Sequence, residues 1–273
     1  MINIGYVVVD LHVHLRSFAD LKSQLNLIQA NLAGIGIVVY MPNTEPCLDN
    51  PGAVNDYHGW LMDHQTQALP TSAITIGREG KTPVDVEALR PLVVAFTDDG
   101  NCLEDLDIFK RMLEQKVLLM VHCEPETEMV TKYLEVLSKV GGLLHIQHVS
   151  LASTVAVIRA AKKSGLKFTA ETCPHYCYYA NQIESHPVNP PLGEVEDMIK
   201  IREAFADGTL DVIASDYAPL PRPNGTGFAS FRSFIPLCYG LVLDATLNLE
   251  QLKEKLHDNP LRIIASGNSA LLR

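Results

Sequence analysis

The sequence predicts an α/β protein, a single (β/α)8 barrel domain of the TIM type that spans residues 1–273. Three observations favour this fold. Short runs rich in valine, isoleucine and leucine alternate with longer amphipathic stretches along the whole chain. Each run is almost continuously apolar, as parallel strands that are covered on both faces usually are. The chain length also suits such a barrel, which commonly has about 250 residues.

Eight runs are predicted to be strands, and most are followed by a stretch that can form a helix. The predicted strands are 6–14, 36–41, 71–76, 92–97, 117–123, 143–149, 167–172 and 210–215. The predicted helices are 20–32, 53–65, 84–89, 103–115, 126–140, 153–163 and 195–206, with closing helices at 234–243 and 249–256. An open, doubly wound sheet is the alternative, but it more often carries a glycine-rich phosphate loop after its first strand. Residues 10–14 read Asp-Leu-His-Val-His instead, which favours the barrel.

Two histidines mark the carboxyl end of the first predicted strand, the end at which such barrels place their active sites. His12 and His14 are two residues apart, so on a strand both side chains point to the same face. Two imidazoles on one face can bind one metal ion, although histidines also occur as hydrogen-bonded core residues.

Residues of the types that bind metals recur at later strand ends. They are Asp99 in the Asp98-Asp99 pair after the fourth strand, His122 ending the fifth, His148 ending the sixth and Asp216 ending the eighth. Together with the histidine pair they make more ligands than the three that a catalytic zinc usually takes from the protein. Two metals that share one ligand would use them all. In a two-metal site a bridging water loses its proton near neutral pH and a carbonyl can be polarised, so hydrolysis is the natural reaction class.

The composition of the chain limits the classes of molecule that it is expected to bind. The formal net charge of −10 argues against a nucleic-acid or anionic-membrane partner. No apolar run approaches the roughly 20 residues needed to cross a bilayer, and the first residues do not read as a signal peptide. The six cysteines form no C-x-x-C pair, which indicates reduced, structural thiols. We therefore expect a cytoplasmic protein that acts on a small-molecule substrate.

Seven short motifs carry the candidate residues. They are Asp-Leu-His-Val-His-Leu-Arg at 10–16, Met-Pro-Asn-Thr at 41–44, Phe-Thr-Asp-Asp-Gly at 96–100, Val-His-Cys-Glu at 121–124, His-Val-Ser at 148–150, Asn-Pro-Pro-Leu at 189–192 and Ala-Ser-Asp-Tyr-Ala-Pro at 214–219. In this order and combination they resemble the dihydroorotases of the amidohydrolase superfamily. The Asp-Asp-Gly motif resembles the type I branch, in which an aspartate replaces a carboxylated lysine as the metal bridge.

The resemblance implies a barrel of the metal-dependent hydrolase type and an enzyme that acts on cyclic amides. Its reaction would interconvert dihydroorotate and N-carbamoyl-L-aspartate in de novo pyrimidine biosynthesis. It also implies two zinc ions per chain. The implied ligands are His12, His14 and Asp216 for one zinc and His122 and His148 for the other, with Asp99 bridging both. Asp216 would in addition be the general acid and base.

The resemblance assigns substrate contacts as well. Arg16 and Asn43 would hold the substrate carboxylate, a task that suits the planar fork of an arginine. Asn189 would contact the substrate amide. A homo-oligomer is expected, and aspartate transcarbamoylase is a further candidate partner because some dihydroorotase-like chains scaffold it.

The chain also departs from the family. Where the family usually reads Asp-His-Ala-Pro-His, this chain has Tyr217 and Leu220 in place of the histidines. The second of those histidines contacts the substrate carboxylate, and a leucine cannot replace it. The chain starts almost directly at the first predicted strand, so we expect a barrel without the small accessory β-domain of many type I relatives.

Other functions stay open. A hydantoinase or allantoinase would keep similar metal chemistry with a different substrate clamp. A non-catalytic scaffold for aspartate transcarbamoylase would explain the lost histidine but not the six retained ligands. A metal-dependent nuclease of the TatD type is disfavoured by the net charge and by the Asp-Asp-Gly motif.

Three further residues near the candidate ligands in the sequence are not assigned a catalytic role. Asp98 is expected to stabilise its own turn. His145 is expected to face away from the barrel interior, because it lies three residues before His148 on a strand. His175, after the seventh strand, fits a substrate-side or a structural role equally well.

Overall fold

Eight parallel strands form the centre of the protein in the computed structural model, which describes residues 5–16, 22–62, 64–181, 187–219, 227–228 and 230–272. The strands are β1 (Val8–Val13), β2 (Ile35–Tyr40), β3 (Gln67–Ser72), β4 (Ala95–Phe96), β5 (Leu118–Val121), β6 (Leu143–Ile146), β7 (Thr169–Thr172) and β8 (Val212–Ile213). Their order in the sheet follows their order in the chain. A bridge between Val13 and Tyr217 joins β1 to the segment after β8 and nearly closes the barrel. The predicted (β/α)8 fold is confirmed.

Helices surround this barrel. They are α1 (Lys22–Ala33), α2 (Pro51–Leu61), α3 (Val86–Leu89), α4 (Leu106–Glu114), α5 (Glu126–Val140), α6 (Ala152–Lys163), α7 (Pro174–Tyr178), α8 (Val195–Ala206), α9 (Phe231–Leu243), α10 (Leu249–Lys253) and α11 (Asn259–Asn268). Local chemistry sets several boundaries. The Asn50 side chain accepts a hydrogen bond from the Ala53 amide and begins α2, and Gly141, at a φ of 70°, ends α5. Within the described part of the chain, no helix is long and apolar enough to cross a membrane.

The third strand and two helices differ from the sequence prediction. β3 ends at Ser72, whereas the predicted run continued to residue 76. The apolar residues after Ser72 lie in a loop, because the amides of Ile74 and Thr75 donate to the carboxylate of Asp98 and not to a neighbouring strand. The helices α7 and α11 were not predicted.

The two ends of the barrel differ in chemistry. The amino-terminal end is filled by an apolar cluster to which α11 contributes Ile263 and Ile264. Close packing there requires Gly267, because a Cβ at this position would overlap the carbonyl of Val94. The opposite end, where the strands finish, carries buried histidines and carboxylates. The fold therefore leaves one polar mouth, as (β/α)8 enzymes do.

Candidate metal centre and substrate pocket

All nine predicted site residues meet at the carboxyl ends of the strands. A cavity of about 230 Å³ opens there. The predicted residues that line it are His14, Arg16, Asn43, Asp99, His122, His148, Asn189 and Asp216. The ninth, His12, is completely buried beneath the cavity, with its Nε2 atom 3.3 Å from Oδ1 of Asp99.

One group of candidate ligands gathers around the end of β1. The Nε2 atom of His14 lies 3.1 Å from Oδ1 of Asp216 and 3.3 Å from Oδ2 of Asp99. The Nε2 atom of His12 lies 3.5 Å from the same Asp216 oxygen. His12, His14 and Asp216 thus form one set of residues that could hold a metal ion.

A second group gathers on the other side of Asp99. Its Oδ1 atom lies 3.6 Å from Nε2 of His148 and 4.0 Å from Nδ1 of His122. Those two histidine nitrogens are 2.9 Å apart. The Oδ1 atom of Asp99 thus lies near His12 of the first group and near His148 and His122 of the second, while its Oδ2 atom lies nearest His14. His12, Asp99 and His148 form a second set of residues that could hold a metal ion, so Asp99 contacts both groups, as a bridging ligand would.

The donor set fits zinc. Two ligand atoms on a tetrahedral zinc, each bonded at about 2.0–2.1 Å, lie about 3.4 Å apart, which is close to the separations found here. Buried donor atoms also lack hydrogen-bond partners among the described residues: Nε2 of His12, Oδ1 of Asp99 and Nε2 of His122. Buried polar atoms without partners are costly, and a bound cation would satisfy the imidazole and carboxylate atoms that face it.

Two candidate ligands depend on an unusual backbone. His148 has a φ of 35° and Asp216 a φ of 47°, so both lie in the left-handed region that residues other than glycine seldom occupy. Each lies in the short segment after its strand and lines the cavity. Backbone strain of this kind is typical of functional sites.

A second carboxylate, which the sequence did not predict, orients His12. The Oε1 atom of Glu171 on β7 accepts a hydrogen bond from Nδ1 of His12 at 2.9 Å, and Oε2 is 3.0 Å from Nε2 of His145. Fixing one imidazole nitrogen by a carboxylate leaves the other free for a metal. The expectation for His145 was wrong. His145 and Gln147 follow the regular alternation and point inward, where they contact Glu171 and His12. The left-handed backbone at His148 takes that residue out of the alternation, so its side chain also lies at the site.

The charges in this cluster determine its pKa values. Burial alone would raise the pKa of Asp216, but His12 and His14 outweigh it and lower this pKa to about 2. Burial would lower the pKa of His12, whereas Asp99 and Asp216 hold it well above its ordinary value. Burial and the neighbouring His148 lower the pKa of His122 to about 4. The cluster therefore attracts positive charge, and a metal would replace the proton on His12.

The substrate side of the pocket is cationic and rich in amides. Arg16 lines it, with a φ of 67° and with its carbonyl accepting a hydrogen bond from the Tyr57 hydroxyl. Burial lowers the pKa of Arg16. The Oδ1 atom of Asn43 accepts from Nδ1 of His14 at 2.9 Å, so this residue supports a candidate ligand and also lines the pocket. Asn189 also lines the cavity.

Tyr217 and Leu220 stand where the family usually has histidines. Tyr217 is buried outside the pocket, where its ring stacks on Phe231 at 3.7 Å and its hydroxyl donates to Asn26. It therefore joins the β8 end to the helices α1 and α9. Leu220 lies outside the described residues.

Three other residues surround the site. Asp98 binds the loop after β3 through Ile74 and Thr75, so it stabilises a neighbouring loop and not only its own turn. His175 is buried, with a ring nitrogen in reach of both Cys173 and Asp216. Arg78 lines the pocket, and sequence reasoning missed it because one arginine in a loop carries no motif.

Sequence comparison identifies relatives of this chain. No protein-family model matches it. The dihydroorotase of Trichlorobacter lovleyi is 29% identical over 315 residues, covering 96% of this chain and 73% of that protein. The dihydroorotase of Aquifex aeolicus is 29% identical over 309 residues, covering 94% of this chain and 72% of that protein. The chain is a relative of the dihydroorotases. The resemblance seen in the seven motifs is confirmed.

Solved structures support the fold. The L-hydantoinase (dihydropyrimidinase) of Arthrobacter aurescens matches with a TM-score of 0.82 at 19% identity, covering 94% of this chain and 70% of that one. The dihydroorotase of Saccharomyces cerevisiae, in complex with 5-fluoroorotic acid, matches with a TM-score of 0.80 at 18% identity, covering 97% of this chain and 86% of that one. The inactive dihydroorotase-like domain of a Chaetomium thermophilum CAD-like multifunctional protein matches with 0.76 at 16%, covering 94% and 79%. At these identities the likeness establishes the barrel alone, for dihydroorotase and hydantoinase neighbours equally.

Proposed function

We propose that this chain is a two-zinc cyclic amide hydrolase that interconverts dihydroorotate and N-carbamoyl-L-aspartate. The observation that carries the proposal is that Asp99 and Arg16 line the same cavity. The Asp99 carboxylate lies between the imidazoles of His12 and His148, and the Arg16 guanidinium belongs to the same cavity lining. The first arrangement suits a metal-assisted hydrolysis, and the second suits a substrate that carries a carboxylate. The relatives named dihydroorotase favour the same substrate.

The proposed metal ligands are the six residues described above. When bound, zinc lowers the pKa of a water molecule and polarises a substrate carbonyl. Asp216 is 8% exposed at the edge of the cavity and is ionised at neutral pH because of its low pKa. It accepts a proton from the attacking water and returns that proton to the amide nitrogen as the ring C–N bond breaks. The reverse sequence closes the ring.

The remaining residues bind and orient the substrate. Arg16 pairs with the substrate carboxylate, and Asn43 lies beside it on the pocket wall. Asn189 lines the same cavity and contacts the amide. We further propose that residues 1–273 form one barrel domain. The protein would act in pyrimidine biosynthesis in the cytoplasm, as a homo-oligomer.

A second candidate is a non-catalytic domain that scaffolds aspartate transcarbamoylase. The structural match to an inactive dihydroorotase-like domain of a multifunctional protein favours it. The retained cluster of His12, His14, Asp99 and Asp216 favours catalysis, because a scaffold has no need of a metal centre.

Turnover of matched rings tests the proposal. Zinc-loaded protein is incubated with dihydroorotate, with dihydrouracil, which lacks the carboxylate, and with hydantoin and allantoin, and products are separated by chromatography. We expect the kcat/KM for dihydroorotate to exceed that for dihydrouracil about 10- to 100-fold, the range for a hydrogen bond to a charged group. Faster opening of the uncharged rings would indicate a hydantoinase-like enzyme. Metal-loaded protein that opens none of them would favour the scaffold.

A further inference from the structure

A second arginine lies beside Arg16 in the substrate pocket. Arg78 is half-buried in the loop after β3 and lines the same cavity as Arg16 and Asn43. Its Nη1 atom donates to the backbone carbonyl of Asp99 at 2.6 Å. The guanidinium is thus held next to the residue that reaches both candidate metal groups.

The surrounding loops fix this arginine in place. Its backbone has a φ of 58°, and its carbonyl accepts a hydrogen bond from the Asn101 side chain at 2.8 Å. Gly100 leaves room for it, since a Cβ there would lie 3.3 Å from Nη1 of Arg78. Asp98 ties the loop after β3 to the loop after β4 through Thr75. A long, flexible side chain is therefore held at one place.

Neither arginine forms an ion pair with another described residue. Ion pairs in the described part of the chain include Arg90, Arg159 and Arg202 but neither Arg16 nor Arg78. The Nε atoms of Arg16 and Arg78 are buried without a hydrogen-bond partner among the described residues. Burial lowers the pKa of Arg16, Asp216 and Asp99 act in the opposite direction, and the positive charge of Arg78 adds a smaller lowering effect. Two neighbouring guanidinium groups that form no ion pair with a carboxylate among the described residues favour the entry of an anion into the cavity.

We infer that Arg78 is a second direct contact for the anionic group of the substrate, acting together with Arg16. This inference rests on the proposed function. One planar carboxylate can accept hydrogen bonds from two guanidinium groups, and Arg78 would supply a donor in a chain whose Leu220 has none. The competing role is a positioning one, in which Arg78 only supports Asp99 through its carbonyl.

Substrates with and without the carboxylate separate the two roles. We compare wild type, Arg78→Gln and Arg78→Lys, all zinc-loaded and with metal content measured, on dihydroorotate and dihydrouracil. The matched control is Lys81→Gln, which removes the same charge from the same loop at a side chain that is 77% exposed. The readout is the ratio of kcat/KM for the charged ring to kcat/KM for the uncharged ring. Binding of orotate and of uracil, measured by calorimetry, gives the same comparison without turnover.

We expect Arg78→Gln to lower the kcat/KM ratio and the affinity for orotate relative to uracil about 10- to 100-fold. Arg78→Lys should recover part of the loss, because the charge remains without the planar fork. Lys81→Gln should leave the ratio unchanged. The inference would be overturned if Arg78→Gln lowered kcat/KM for both rings by the same factor, or for neither ring. If wild type opens dihydrouracil but not dihydroorotate, the proposed function fails, and orotate binding alone then decides the role of Arg78.

Discussion

Asp216 combines the properties that a proton carrier in this pocket needs. Its Oδ1 atom lies within 3.5 Å of Nε2 of both His12 and His14, and the residue borders the cavity. His12 and His14 lower its pKa to about 2, so the carboxylate is ionised at neutral pH. The left-handed backbone at this position aims the side chain at the site.

Replacement of Asp216 by asparagine should separate metal binding from proton transfer. The amide oxygen keeps a ligand atom but cannot accept and return a proton, so we expect zinc to remain bound while kcat falls about 10²- to 10⁴-fold. Steady-state kinetics with elemental analysis measures both. Asp207→Asn, an exposed position paired with Arg159, is the control and should keep its activity. An Asp216→Asn enzyme with more than about half of wild-type turnover would place the proton carrier elsewhere.

At the scale of elements, β7 supplies the support for the proposed metal centre. Glu171 is completely buried and bonds His12 with one oxygen and His145 with the other. Burial would raise the pKa of Glu171, but its hydrogen bonds with His12 and His145 lower it to about 2. The strand thus holds a permanent negative charge behind the ligand.

Glu171→Gln should weaken metal binding without emptying the ligand set. A glutamine keeps the shape but not the charge that orients the His12 imidazole, and losses of about 10- to 100-fold in metal affinity are typical for such partners. Competition with a fluorescent zinc chelator measures the change. Glu203→Gln on α8, an exposed glutamate paired with Lys200, is the control. Unchanged zinc affinity in Glu171→Gln would mean that His12 is oriented by other contacts or is not a ligand.

Elements with strong local signals were predicted well from the sequence. The bounds of α8 are those predicted, and a capping box formed by Glu194 and Asp197 explains why the sequence alone defines its start. β3 was misplaced, because its apolar run extends into a loop that the carboxylate of Asp98 holds. That contact joins residues more than twenty positions apart, so local pattern cannot reveal it.

The sequence located the candidate ligands but not the residues that support them. Residues that end strands, such as His122 and Asp216, can be located because parallel strands all finish at one mouth. Glu171 and Arg78 depend on side-chain directions and loop conformations that no motif in the chain specifies. The left-handed turn at His148, which also reversed the expectation for His145, is equally invisible in the sequence.

On the scale of the whole molecule, charge is distributed unevenly. The chain has a formal net charge of −10, yet two arginines without carboxylate partners in the described part of the structure line its cavity. A local positive site in an acidic protein favours a small anion over a polyanion, which would meet repulsion over the rest of the surface. This distribution fits a small carboxylate substrate better than a nucleic acid.

The number of metal ions per chain tests the central claim most directly. The protein is purified without chelator, reconstituted with zinc, freed of excess metal by gel filtration and analysed by inductively coupled plasma mass spectrometry. Because Asp99 contacts His12 and His14 on one side and His148 on the other, the account predicts about two zinc ions per chain. About one zinc ion or fewer per chain after reconstitution would contradict a two-metal site bridged by Asp99.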